Sequence, residues 1–79
     1  MDWMASWLDD RRYQLGDSNT VPVKAVYPDF AEFCKEGGCR GAEILTKFKF
    51  TEQLRELGYS VKSPNGHAGT LLYFSKPNP

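Results

Sequence analysis

The chain has 79 residues, of which 41% are hydrophobic and 14% aromatic, and its ten basic side chains are balanced by ten acidic ones. That is enough apolar mass for one small globular core and too little for a second domain. The eleven Phe, Trp and Tyr residues exclude a disordered tail, and a formal net charge of zero argues against a dominant sequence-independent pull toward polyanions while permitting a local basic face.

Met1-Asp2-Trp3 lacks the basic start and long apolar run of a secretion signal, and no stretch approaches the roughly 18 apolar residues of a membrane helix, so a cytoplasmic location without membrane contact is expected. Trp3, Met4, Trp7 and Leu8 recur at helical spacing, with Asp2 placed as an N-cap, which predicts a first helix over about 3–13. Two tryptophans at i and i+4 on one face suit a core or an interface better than a ligand-stacking pair. Gly16-Asp17-Ser18-Asn19 then breaks the pattern and Val21 is extended because it precedes Pro22, so 14–23 is read as a loop.

Val23, Val26, Tyr27, Phe30, Phe33 and Cys34 form the stripe of a second helix over about 24–36. Pro28 requires that helix to begin between Val23 and Tyr27, so that the proline falls in a first turn where its missing N–H costs no bond. Gly37-Gly38 ends the helix, Ala42 to Leu45 suits a short helical turn, and Thr46 is an N-cap for a third helix over about 47–57. Its core stripe is Phe50, Leu54 and Leu57, with Gly58 as the stop. Phe48, Lys49, Glu52, Arg55 and Glu56 fall on the other side. Phe48 is out of place there and is expected to pack on the preceding short helix, with direct contact to a partner as the alternative. Residues 59–62 and 70–74 are β-rich and flank a turn-rich segment, predicting a hairpin over about 59–74 in which Tyr73 and Phe74 pack rather than stack bases.

Little in the chain points to catalysis or to a metal. A site made of Cys34, Cys39, His67 and one carboxylate can be drawn, but a C-x4-C spacing with a distant lone histidine is a weak pattern, and reduced cysteines are the expected state. Gly37-Gly38-Cys39-Arg40-Gly41 lacks the lysine and hydroxyl residue of a phosphate-cradling loop. One histidine and two cysteines form no catalytic constellation, so neither enzymatic activity nor a cofactor is expected of the domain itself.

Helix, helix, short helix, longer helix with a basic start, then a hairpin is the order of an α+β winged-helix (helix-turn-helix) domain, three to four helices followed by a β-hairpin wing, here spanning 1–79. In that architecture the last helix enters the major groove and the wing reaches the neighbouring backbone. Charge is distributed to match. Residues 1–43 carry five basic and eight acidic side chains, a net −3, and residues 44–79 carry five basic and two acidic, a net +3. The alternative is a solvated helix face laced by Glu52–Lys49 and Arg55–Glu52 pairs. Glu52 and Glu56 reduce the third helix to +1, so weak binding is expected.

The segment from Trp7 to Phe74 resembles the C-terminal winged-helix domain of phage and plasmid primase–helicases, the group whose ring helicase is related to the poxvirus primase–helicase. The resemblance is carried by Val26-Tyr27-Pro28-Asp29-Phe30-Ala31-Glu32-Phe33-Cys34 and by Phe50-Thr51-Glu52-Gln53-Leu54-Arg55-Glu56-Leu57-Gly58-Tyr59, with Trp7-Leu8 and Val21-Pro22-Val23 before them. It implies a domain of a mobile-element replication protein behind a hexameric ATPase, binding origin or template DNA, with duplex as the expected form. Lys47, Lys49, Thr51 and Arg55 are then the residues approaching the groove or its phosphates, with Lys62, Asn65, His67 and Lys76 on or near the wing. A solvent-exposed His67 without a role is the plainer alternative for that residue. The family usually carries more Arg and Lys in the third helix and wing tip than Phe48, Pro64, Asn65 and Gly66 supply, which also implies weak binding. The competing expectation is a protein-interaction module, in which exposed Trp3, Trp7 and Phe48 dock on the parent helicase or on a second copy.

Overall fold

In a computed structural model describing residues 2–64 and 69–77, the chain is α+β. Three α-helices, α1 (Trp3–Arg11), α2 (Val23–Glu36) and α3 (Lys47–Glu56), pack with three strands, β1 (Gln14–Pro22), β2 (Ser60–Lys62) and β3 (Leu71–Ser75). A 3-10 turn at Gly41–Glu43 precedes α3, where a short helical turn is expected. The sheet is antiparallel in the order β1-β3-β2.

The helix starts follow their caps. Asp2 accepts a hydrogen bond from the Ala5 N–H at 3.0 Å and Thr46 from the Lys49 N–H at 3.3 Å, each satisfying a donor that an uncapped first turn leaves orphaned. Gly58, with φ +101°, follows the last turn of α3. Pro28 departs from expectation: α2 begins at Val23, so the proline lies in the second turn rather than the first. It removes the bond to the Lys24 carbonyl, a loss tolerated because Lys24 and Pro28 share an exposed face open to water.

The segment read as a loop over 14–23 is strand β1, paired with β3 through Asn19–Phe74, Thr20–Tyr73, Val21–Leu72 and Pro22–Leu71. The pairing then slips, and Gln14 is the next residue in register, opposite Ser75. Gly16 explains how the slipped stretch stays close to its neighbour. A Cβ at that position, where φ is +146°, would lie 1.9 Å from Ser75 Oγ. Hydrophobic alternation is absent from β1 because nearly all of it is exposed, which is why the turn-forming residues dominated the sequence signal.

Aromatic side chains build the core. Trp7 makes edge-on contacts with Tyr13, Phe30 and Phe50 at centroid distances of 5.3, 5.5 and 5.5 Å. Leu54, Val61, Leu72 and Phe74 close this cluster from α3 and the sheet. Tyr27 donates from its hydroxyl to the Leu45 carbonyl at 2.7 Å, tying α2 to the approach of α3. Leu57 leaves the expected core stripe at 49% exposure and Thr51 takes an inward place instead. The helix ends at Glu56, so the 100° progression no longer fixes where Leu57 points.

Candidate nucleic-acid interface

The inward residues of α3 are Phe50, Thr51 and Leu54; Lys49 and Arg55 point away from them, and Lys47, on the inward side at i−4 of Thr51, is exposed at the first position of the helix. Arg55 is fixed in place. Its Nε and Nη2 donate to the Val61 carbonyl at 3.1 and 3.0 Å, clamping α3 to β2 through a neutral acceptor. On the hairpin, the Lys62 ammonium lies 5.1 Å from the centre of the Tyr73 ring, and Lys76 is exposed just after β3. Asn65 and His67 lie outside the described residues. Phe74 is buried and Tyr73 half-buried, so both pack in the sheet as expected.

The helix-face pairs Glu52–Lys49 and Arg55–Glu52 do not form. Among the described residues the ion pairs are those of Arg11 with Asp10 and Asp29, and of Arg40 with Glu43 at 3.9 Å. Among the described residues, the cations of α3 and the hairpin thus meet no carboxylate within ion-pair distance.

Two residues of α3 differ from expectation. Thr51 is buried and its hydroxyl donates to the Phe48 carbonyl at 2.8 Å, so it does not stand out toward a groove as a free donor. Phe48 does not pack on the short turn before α3; it is 69% exposed. Its ring borders a depression of about 370 Å³ lined by Val23, Lys47, Thr51, Arg55 and Thr70.

The tryptophans of α1 are not a shared exposed face. Trp7 is 0% exposed and donates from Nε1 to Asp29 Oδ2 at 2.9 Å, while Trp3 is half-buried with its ring edge-on to Phe33. Both turn toward α2 because α1 buries its one apolar stripe there. The interaction surface expected of Trp3, Trp7 and Phe48 therefore lacks Trp7. Arg11 completes the contact, donating to both Asp29 oxygens at 2.8 and 2.9 Å. These bonds, Arg11's first and Trp7's next, hold the Asp29 carboxyl below its ordinary range against the opposing effect of burial.

Cys34 is buried and Cys39 half-buried, both as free thiols, and burial pushes the Cys34 thiol up. Among the described residues no three His, Cys, Asp or Glu side chains gather as metal ligands, and no helix is long and apolar enough to cross a membrane. A wider groove, lined by Leu8, Asp9, Arg12, Tyr13, Leu15 and Leu57 among others, separates α1 from the end of α3. It carries both signs of charge. Sequence reasoning found the α3 cations but had no signal for the Arg55–Val61 clamp or the hollow beside Phe48, because both depend on the docking of α3 against the sheet.

The sequence model of the Poxvirus D5 protein-like family matches residues 1–76. Neither a curated protein nor a solved structure matches the chain.

Proposed function

Because the chain belongs to the Poxvirus D5 protein-like family, we propose that it is the winged-helix DNA-binding domain of a primase–helicase-type replication protein. In this reading α3 is the recognition helix and the β2–β3 hairpin the wing. The element order, with a strand between the first two helices and α3 directly before the hairpin, supports the winged-helix assignment. The domain itself is non-catalytic and serves an ATPase elsewhere in the parent protein, helping to hold origin or template DNA.

The observation that carries the reading is the cation set Lys47, Lys49, Arg55 and Lys62, exposed on α3 and the hairpin with no carboxylate in ion-pair contact among the described residues. Phosphate oxygens are the ligands such a surface favours, through release of condensed counterions. Glu52 and Glu56 on the same helix keep the affinity low. Fluorescence anisotropy of labelled duplex and single-stranded DNA, titrated at rising salt, tests this. A log–log slope of about −2 to −5 is expected for a few phosphate contacts, and Lys47→Ala or Lys49→Ala is expected to reduce its magnitude by about one. Absence of binding to either DNA at high micromolar protein overturns the reading.

A further inference from the structure

Phe48 is the most exposed of the large apolar side chains among the described residues, at 69%, and its surroundings are organised. The Thr51 hydroxyl bonds to the carbonyl of Phe48 at 2.8 Å, fixing the turn of helix from which the ring projects. Seven residues on, and so on the same helix face, Arg55 is held by the Val61 carbonyl. The depression beside the ring is walled by the start of α2 and the approach to β3, which are joined by the Val23 N–H donating to the Thr70 carbonyl at 2.9 Å. Of its six lining residues two are cationic, Lys47 and Arg55, and none is acidic.

We infer that Phe48 is a stacking platform for an unpaired DNA base, with Lys47 and Arg55 engaging the flanking phosphates, so that the domain binds single-stranded or forked DNA in preference to continuous duplex. The inference rests on the DNA-binding reading above and names the form of DNA that the site takes. Each base inside a duplex already has both faces covered by its neighbours, and an exposed ring gains contact there only by prying a step apart. An unpaired base has a free face, and stacking it on an aromatic ring is indifferent to which base it is. The cations supply the attraction that a bare apolar patch meant for a protein would not need.

The test compares the 79-residue chain with Phe48→Ala and Phe48→Trp on a single strand carrying one 2-aminopurine, the same strand in full duplex, and a fork containing it. Expected are tighter binding of the single strand and fork than of duplex, and quenching of the 2-aminopurine by the wild-type chain. Phe48→Ala is expected to lose the quenching and to weaken single-strand binding by roughly 5- to 100-fold while leaving duplex binding unchanged, and Phe48→Trp to retain both quenching and affinity. Because the ring is exposed, the thermal unfolding of Phe48→Ala is expected to match the wild type, which separates lost stacking from lost fold. If Phe48→Ala weakens duplex and single strand alike, or neither, the stacking role is overturned and DNA binding stands. If the wild-type chain binds no DNA, both readings fall, and a concentration-dependent mass that disappears in Phe48→Ala then assigns the ring to a protein contact.

Discussion

Arg11 joins α1 to α2 by gripping both oxygens of Asp29, whereas Arg55 joins α3 to β2 by placing two donors on the single carbonyl of Val61. Each guanidinium crosslinks two elements, and each uses its fork of N–H groups to do so. The electrostatic results are opposite. Arg11 is neutralised by its carboxylate, with Asp10 as a second partner, and the Asp29 that pays for this also satisfies the buried indole of Trp7. Arg55 is oriented by a dipole that takes none of its charge, so the cation stays available at the surface. Of these two guanidiniums, the one in the acidic half is thus taken up by a carboxylate within the packing, and the one in the basic half keeps its charge at the surface.

Trp7→Ala breaks the first of these regions most severely. It empties the centre of the aromatic cluster, and an expected loss of about 3–5 kcal/mol is comparable with the whole stability of a domain this small. Far-UV circular dichroism at neutral pH is expected to show a largely unfolded population.

Asp29→Ala separates the carboxylate from the core it serves. It leaves the Trp7 N–H without an acceptor, and a loss of roughly 1–3 kcal/mol is expected in urea unfolding followed by tryptophan fluorescence. Most of that loss belongs to the indole, because Arg11, with a side chain 34% exposed, returns to water cheaply. The same carboxyl gives the domain an acid sensitivity. Its folded pKa lies below the unfolded value near 4, so its contribution is complete at neutral pH and is lost as pH falls below about 4 through the lowered folded value. Asp29→Asn is expected to flatten that part of the stability profile. DNA binding at neutral pH is expected to be untouched.

Arg55→Ala acts on both properties at once, and less on stability. Removing donors to one carbonyl is expected to cost about 0.5–1.5 kcal/mol, while DNA affinity falls and its salt slope shrinks by about one. Arg55→Lys sharpens the contrast with Arg11. It keeps the charge and hence most of the slope, but a single ammonium cannot reproduce the two-donor clamp, so the stability loss remains.

Much of this was legible in the residues. Asp2 and Thr46 marked the helix starts because capping is local chemistry, and Gly37 and Gly58 marked the ends for the same reason. Residues carrying the stripe of α2 were found inside at Val26, Phe30 and Cys34. The basic character of the α3 and hairpin half was likewise a matter of counting. Strand β1 was not legible. An edge strand with both faces largely in water has no alternation to display, and Gly16-Asp17-Ser18-Asn19 signals a turn whether it closes a loop or bulges within a strand.

The candidate site divided along the same line. That Lys49 and Arg55 lie away from the core stripe of α3 followed from 3.6-residue periodicity, as did the anomaly of Phe48. That Thr51 turns inward, that Trp7 is sealed beneath Asp29, and that Arg55 is aimed by a carbonyl six residues away in sequence were decided by how α1, α2 and the sheet dock. The sequence by itself determined the helices, their caps, the hairpin and the sign of charge in each half, because these depend on neighbours within a few residues. Only the tertiary structure decided which cations among the described residues meet a carboxylate and which do not, because that depends on partners brought together across the fold, where distance and burial set the strength of each charge.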